Sequence, residues 1–147
     1  MTRYFQLDEA ARHLAELEPL LQTLAQQRAQ LIRLRDVVVE SDSGVPATGD
    51  AGSDPGPRPG DGAAPDESLR LARLRMQGLI DQMQAAVARI DELGVVLRDI
   101  ETGLIDFPAL VNGRQVWLCW RLGEAEIDYW HELTSGVAGR RLIIDLA

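Results

Sequence analysis

The chain has 147 residues and a formal net charge of −8, and its 15 basic residues are all arginine. A nucleic-acid partner is neutralised by a clustered basic surface, so this charge argues against nucleic-acid binding. No apolar run approaches the roughly 20 residues that cross a bilayer, and the first residues lack the apolar segment of a signal peptide. Together with a single cysteine, which forms no internal disulfide, these features predict a cytoplasmic, soluble protein with one domain, 1–147.

A heptad pattern of apolar residues predicts a long first helix within residues 1–40, beginning at about Leu7. The apolar residues recur at intervals of three and four, which is the spacing of a helix seam rather than of a strand. Proline removes one backbone donor and clashes with the preceding turn, so Pro19 is expected to kink or split this helix near Glu18. The seam consists of Leu7, Ala10, Leu14, Leu17, Leu21, Leu24, Leu31 and Val38.

Residues 41–65 have a different composition, in which glycine, proline and aspartate dominate and large apolar side chains are almost absent. Such a segment cannot bury enough surface to offset its ordering entropy. We therefore predict a disordered linker between two helices. A regulatory role stays open beside the simpler interpretation, an insertion that is tolerated at the tip of a helical hairpin.

A second strict three-four pattern of apolar residues predicts a helix over residues 66–94. Pro65 and Asp66 suit a helix start, and Gly94 suits a helix end. The two helices are expected to form a long antiparallel, coiled-coil-like hairpin. Further apolar side chains beside the first seam require another layer, which either the C-terminal part or a second copy of the chain supplies. A homodimer through the hairpin is the expected assembly.

The hydrophobic period changes from helical to extended after residue 94, so the fold is predicted to be α+β. Residues 95–147 are expected to form a small antiparallel β-meander and a short C-terminal helix that together cap the hairpin. The second strand of the meander begins at Leu104 and is expected to end before Pro108. Asn112 and Gly113 are a strong signal for a two-residue hairpin turn, after which a strand with apolar groups on both faces returns.

The C-terminal helix, predicted from Gly123 to near Gly136, carries the candidate metal ligands. On this helix Glu124, Asp128 and His131 are spaced i, i+4 and i+7 and share one face. Two carboxylates and an imidazole in that arrangement can chelate Fe, Mn or Zn. A solvated helix face has the same pattern, so a purely structural role for the three residues stays open.

Asp106, Arg121 and Arg140 are candidate residues for binding a small anionic ligand. A charged residue is disfavoured within a strand, so Asp106 is expected to pair with one of these two arginines. The segment from Gly136 to Arg140 offers backbone donors and a guanidinium to an anion. Cys119 is interpreted as a small buried hydrophobic residue rather than a nucleophile, because no flanking cation apart from Arg121 is placed to lower its pKa.

Several short segments of the chain carry a resemblance to a known protein family. These segments resemble the bacterial domain of unknown function 2203 family, which has no assigned role, and the resemblance therefore implies no activity. The segments are Leu104-Ile-Asp-Phe-Pro, Leu118-Cys-Trp-Arg-Leu-Gly-Glu, Tyr129-Trp-His-Glu-Leu and Gly136-Val-Ala-Gly-Arg140, and the opening Tyr4-Phe5 with Leu7-Asp8-Glu9-Ala10 fits as well.

Two functional hypotheses follow from the sequence. In the first, the hairpin is a scaffold, and the C-terminal cap holds a metal ion or a small anionic ligand. In the second, the protein is a coiled-coil interaction module without ligand or catalysis. The concentration of polar and aromatic residues in the cap favours the first hypothesis, and whether the protein is an enzyme stays open.

Overall fold

The computed structural model describes residues 3–42 and 65–145, so residues 43–64 of the predicted linker lie outside the described residues. The fold belongs to the α+β class, as predicted, with two long helices followed by a five-stranded antiparallel sheet. The elements are α1 (Leu7–Asp42), α2 (Pro65–Glu92), β1 (Val96–Asp99), β2 (Leu104–Val111), β3 (Arg114–Arg121), β4 (Tyr129–His131) and β5 (Arg141–Leu142), with 3-10 turns at Val137–Gly139 and Ile143–Asp145.

Helices α1 and α2 form the predicted helical hairpin. The chain divides into two compact units, of which the first is Met1–Arg28 with Met83–Ala147 and the second is Ala29–Gln82. In the first unit, Nε of Arg89 on α2 donates to Glu16 on α1 at 2.6 Å. In the second unit, both helices line a cavity of about 530 Å³. Among the described helices, none is long and apolar enough to span a bilayer.

Pro19 lies inside α1 without splitting it, so of the two expected outcomes, a kink or a split near Glu18, the split is not observed. A proline in a helix interior costs about 3 kcal/mol because it removes a hydrogen bond and crowds the preceding turn. The side chain of Pro19 is exposed, whereas Leu17 and Leu21 on either side of it are fully buried in the core. The burial of these two side chains outweighs the local cost of the proline, so the helix continues through it.

The five strands follow one another in the order β1-β2-β3-β4-β5, which is the predicted meander. The turn between β2 and β3 is formed by Asn112 and Gly113, whose φ angles are 52° and 77°. Both angles lie in the left-handed region that a tight two-residue hairpin requires. The turn pairs Val111 with Arg114 and sets a register without interruption as far as Leu104 opposite Arg121.

Strand β2 continues through Pro108 to Val111, so the prediction that Pro108 ends this strand is wrong. Proline is tolerated where its missing N–H would face no neighbouring strand. The pairing of β1 with β2 reaches only as far as Val96 opposite Asp106, so Pro108 lies beyond the end of β1. Its carbonyl accepts a hydrogen bond from the backbone N–H of Phe5 at 2.7 Å.

The predicted C-terminal helix over residues 123–136 is also wrong, because this segment forms a turn and strand β4, and only a 3-10 turn, Val137–Gly139, follows it. The spacing of its few apolar residues suits a helix and a strand almost equally. Strand β3 leaves one edge unpaired, and aromatic residues favour the extended partner that satisfies this edge. The indole N–H of Trp120 donates to the carbonyl of Glu124 at 3.1 Å and holds the turn before β4.

Successive residues of the central strands point to opposite faces of the sheet. On one face, which we call the core face, the apolar side chains join Leu17, Leu21 and Leu24 of α1 in a single buried cluster. The opposite face, which we call the site face, carries Asp106, Cys119, Tyr129 and His131. The core face consists of Ile105, Phe107, Ala109, Val116, Leu118, Trp120 and Trp130.

Candidate metal centre

A carboxylate and a thiol lie side by side in the middle of the site face. Asp106 on β2 is the direct cross-strand partner of Cys119 on β3. Side chains of directly opposite residues in an antiparallel pair point to the same face and are close neighbours. Asp106 is 1% exposed and Cys119 is fully buried, so both groups lie in a region of low dielectric.

An imidazole joins this pair because β4 adds to the free edge of β3. Pairing of Trp117 with His131 puts His131 diagonally next to Cys119 on the same face. Nε2 of His131 lies 3.0 Å from Oδ2 of Asp106, and Nδ1 lies 2.9 Å from the backbone carbonyl of Glu132. Both nitrogens of this buried ring are therefore oriented by neighbours.

The two contacts of the His131 ring limit where its protons lie. A backbone carbonyl only accepts hydrogen bonds, so the contact with Glu132 is a hydrogen bond in the tautomer that carries its proton on Nδ1. Nε2 then faces a carboxylate oxygen of Asp106, and two lone pairs at this distance repel each other. Either a second proton or a cation has to lie between the two atoms. A donated Nδ1–H is also the arrangement by which proteins orient a histidine that binds a metal through Nε2.

Arg98 supports the carboxylate from the first strand. Its Nε donates to Oδ2 of Asp106 at 2.8 Å, and its guanidinium stacks over Trp117 at 4.8 Å from the ring centroid. Arg98 lies where the β1–β2 register shifts between Leu97 and Asp99. The other carboxylate oxygen, Oδ1 of Asp106, is buried without a hydrogen-bond partner among the described residues. A buried carboxylate oxygen without a partner is costly and calls for one.

The Cys119 thiol is held in its protonated form. Burial raises the pKa of Cys119 from 9.0 to about 12, and the negative charge of Asp106 adds to this effect. A thiol in this state is a poor nucleophile, because the thiolate is the reactive form. A coordinated metal ion displaces the proton, however, because its charge outweighs that of the neighbouring carboxylate.

Together these three side chains form a group of potential ligands. One ligand atom from each of Asp106, Cys119 and His131 lies within 4.8 Å of the other two. A tetrahedral zinc site has bonds of about 2.0 to 2.3 Å, which separates its ligand atoms by about 3.3 to 3.7 Å. The separations between the three atoms therefore exceed those in a tetrahedral zinc site by about 1.5 Å at most. No other group of three such side chains converges within the described parts of the chain, 3–42 and 65–145.

A cavity of about 420 Å³ adjoins the cluster. Asp106 and His131 contribute to its wall, and Cys119 does not. The remainder of the wall comes from β1, from the start of β2 and from the segment after β4. The lining residues are Arg98, Leu104, Asp106, His131, Leu133, Thr134, Gly136 and Val137.

The structure brings only one of the three predicted metal ligands to this cluster. The helix that was expected to align Glu124, Asp128 and His131 is not formed. The side chains that converge on His131 are Asp106 and Cys119. The side chain of Asp128 is exposed. The set Glu124, Asp128 and His131 rested on a helical spacing that the chain does not adopt.

The predicted ligand-binding residues are divided between two neighbouring groups. Asp106 pairs with Arg98 rather than with Arg121 or Arg140. Nη2 of Arg140 donates to Oε1 of Glu124 at 2.6 Å, and the Arg140 guanidinium lies 4.0 Å from the centroid of the Tyr129 ring. The side chain of Arg121 is exposed. Its backbone N–H donates to Oε1 of Glu124 at 2.7 Å.

Cys119 was not among the sequence candidates for a site, although the hairpin contained the signal. A two-residue turn at Asn112 and Gly113 sets Val111 opposite Arg114. Counting outward from that pair brings Asp106 opposite Cys119, so the register alone predicts their contact. No comparable signal indicates Arg98, because its position depends on the irregular pairing of β1 with β2.

The fold and the cluster define a class of protein, a small α+β protein with a candidate metal centre buried on one face of its sheet. Residues 3–143 match the family described as "Uncharacterized conserved protein (DUF2203)", and the chain belongs to this family, as the resemblance in sequence implied. No curated protein matches the chain, and no solved structure does. The family description assigns no activity, so the function is inferred from the geometry of the cluster.

Proposed function

We propose that this protein binds a divalent transition metal ion through Asp106, Cys119 and His131. The single observation that carries the proposal is the unpartnered, buried Oδ1 of Asp106 in a cluster with a thiol and an imidazole. Carboxylate, thiolate and imidazole are the three commonest protein ligands of zinc. The proposal retains His131 from the sequence-based set and replaces Glu124 and Asp128.

The ligand chemistry orders the three metals expected from the sequence. A thiolate is a soft ligand and an imidazole is intermediate, which favours Zn or Fe over Mn. At equal availability, the Irving–Williams order then favours zinc over ferrous iron. Three protein ligands leave one position of a tetrahedral ion open, which is the arrangement of catalytic rather than structural zinc sites. A cytoplasmic location, expected from the sequence, keeps the single thiol reduced and available.

The test is elemental analysis of untagged protein that has been purified without added metal. The wild type is expected to contain close to one equivalent of Zn or Fe, and Cys119→Ala and His131→Ala are expected to contain far less. Cys119→Ala is the more informative variant, because alanine fills a small buried position with little disturbance. His13→Ala is the matched control, because His13 lies on α1 and contacts Phe5, outside the cluster.

Three results bear on this proposal. Metal-free wild-type protein that takes up neither Zn nor Fe during dialysis would contradict it. Equal metal content in the wild type and in Cys119→Ala would remove the thiolate from the ligand set. Circular dichroism of each variant separates a loss of the metal from a loss of the fold.

A second candidate function is association of two copies of the chain through the hairpin. Four apolar side chains of the second unit, Val37, Val39, Leu71 and Leu74, are each about half exposed. Leu71 and Leu74 are three residues apart on α2 and so lie on one face of that helix, and exposed apolar side chains that share a face favour an interaction site. Leu74→Arg is expected to lower the fraction of dimer in sedimentation equilibrium, with Leu110→Arg as the control on the sheet. A monomer at every concentration of the wild type would exclude this function.

A further inference from the structure

The wall of the 420 Å³ cavity includes two of the proposed metal ligands. Asp106 and His131 both line the cavity, whereas Cys119 is fully buried and does not. An ion held by these three side chains would therefore lie at the wall of the cavity, where a small molecule could reach it.

The charges around the site decide which small molecules suit it. A divalent cation and the Arg98 guanidinium bring three positive charges, and Asp106 with a Cys119 thiolate brings two negative ones. His131 is neutral when it binds a metal. The nearby pair of Arg140 with Glu124 is balanced by itself. One positive charge is left at a buried site, and a ligand with a single negative charge neutralises it.

Arg98 is suited to contact such an anion. Its Nε is used by Asp106, and its two terminal nitrogens have no hydrogen bond to any of the described residues. Arg98 lines the cavity with its side chain 42% exposed. A guanidinium with free terminal N–H groups matches a carboxylate oxygen well and remains charged at every physiological pH.

The rest of the cavity is mainly apolar. Leu104, Leu133 and Val137 lie on the wall, with the hydroxyl-bearing Thr134 beside them. A volume of about 420 Å³ is within the range of about 300 to 1,000 Å³ that is usual for small-molecule sites. The lining therefore suits a short hydrocarbon chain attached to the anionic group.

We infer that the metal-loaded protein binds a small carboxylic acid as its monoanion, with the carboxylate on the metal and near Arg98 and with a short apolar chain against Leu133 and Val137. The inference rests on the proposed metal site and names the class of ligand that this site takes. It requires no covalent step, because the ligand would bind through its charge and its apolar chain without breaking any of its bonds.

The experiment uses full-length protein loaded with cobalt(II), whose visible absorption bands respond to a change of ligand. The protein is titrated with acetate, butyrate and hexanoate, with butyramide as the neutral analogue and chloride as the simple anion. The carboxylates are expected to shift the cobalt bands saturably. Each added methylene is expected to tighten binding by about two- to fourfold. Butyramide and chloride are expected to leave the spectrum unchanged at the same concentrations.

Two variants test the parts of the cavity. Leu133→Trp places a larger side chain on the wall and is expected to weaken hexanoate binding at least tenfold while the metal content stays near that of the wild type. Leu110→Trp is the matched control, because Leu110 is exposed on the same sheet and lies outside the cavity. Arg98→Gln is expected to weaken all three carboxylates by about tenfold or more.

The outcomes separate this inference from the metal proposal. If carboxylates do not change the cobalt spectrum, the inference is overturned and the proposed metal site is unaffected. An equal response to chloride or to butyramide also overturns it, because the site then does not select an organic monoanion. Protein that binds neither cobalt nor zinc overturns both statements together. A carboxylate response that Leu133→Trp and Leu110→Trp alter equally places the ligand elsewhere and contradicts the proposed cavity.

Discussion

The two faces of the sheet are built from the same strands and differ in what their side chains contribute. Phe107 and Asp106 are adjacent in β2, and both are almost completely buried. Phe107 packs edge-on against Phe5 with ring centroids 5.3 Å apart. Asp106 instead meets Arg98 and His131. Alternation along one strand thus assigns packing to one face and polar chemistry to the other.

Burial has opposite energetic consequences on the two faces. Removing an apolar side chain from water stabilises the core face by about 25 cal/mol per Å². Burying a charged or hydrogen-bonding group costs free energy unless it finds a partner. On the site face, Asp106 has one oxygen paired and one unpaired. The comparison indicates that the core face maintains the fold, whereas the site face gives up some stability by burying polar groups that are only partly paired.

The largest effect on stability is expected on the core face. Phe107→Ala removes a fully buried ring and leaves a cavity next to Phe5, so we expect it to lower the free energy of unfolding by about 3–5 kcal/mol. Urea denaturation followed by circular dichroism measures this loss. Leu110→Ala, on the same strand but half exposed, is the control and should cost less than about 1 kcal/mol. A similar loss in both variants would contradict the assignment of the faces.

The next effect concerns the reactivity of the thiol on the site face. The pKa of Cys119 is raised to about 12. At pH 8 the fraction of Cys119 in the thiolate form is therefore about 10³-fold smaller than for an ordinary cysteine. Alkylation by iodoacetamide of the metal-free, folded protein is therefore expected to be slower than that of the urea-unfolded protein by at least this factor. Mass spectrometry of timed samples measures the two rates. Equal rates would mean that the thiol is exposed.

A smaller loss of stability is expected when the thiol is removed. Cys119→Ala deletes one buried sulfur, and the small cavity is expected to cost about 1 kcal/mol in the metal-free protein. The value is obtained from the same urea titrations, with a chelator present in every sample. A loss as large as that of Phe107→Ala would show that Cys119 belongs to the structural core and not to a separate site face.

The smallest effect is expected outside the sheet, at the ion pair between the helices. The hydrogen bond from Arg89 holds the pKa of Glu16 below its ordinary value of 4.5. A lowered carboxylate pKa contributes stability above pH 4.5, and the contribution disappears as the pH falls through the folded-state pKa. Thermal midpoints of the wild type and Glu16→Gln should therefore differ slightly at pH 7 and coincide near pH 2. Glu18→Gln is the control, and 1 M salt should also shrink the difference.

Much of the fold could be predicted because it depends on local patterns. The two helices follow from their three-four spacing, and Gly94 ends the second with a φ of 84°. The turn at Asn112 and Gly113 follows from the tolerance of both residues for positive φ. At the candidate site, the charge of Asp106 within a strand predicted an arginine partner, and the structure shows such a pair. Which arginine it is was not predicted, because Arg98 reaches Asp106 through a register shift that no local pattern specifies.

The errors arose where one segment had two local solutions. Residues 123–136 have apolar spacing that suits a helix, and their choice of a strand depends on the free edge of β3. Pro108 was expected to end β2, and the short reach of β1 makes it harmless there. In the first case, the deciding partner offers hydrogen bonds that the segment alone does not have. In the second case, what decides is the absence of a strand opposite the missing N–H of Pro108.

The sequence by itself determined the hairpin of helices, the meander and the register that sets Asp106 opposite Cys119, because these depend on periodicity and turn chemistry within short stretches. Only the tertiary structure decided that His131 lies on a strand, that its imidazole reaches Asp106 and that Arg98 supports the same carboxylate. The physical reason is that each of these contacts depends on a strand edge or on irregular strand pairing, and a strand takes its place by pairing with a neighbour that its own residues do not encode.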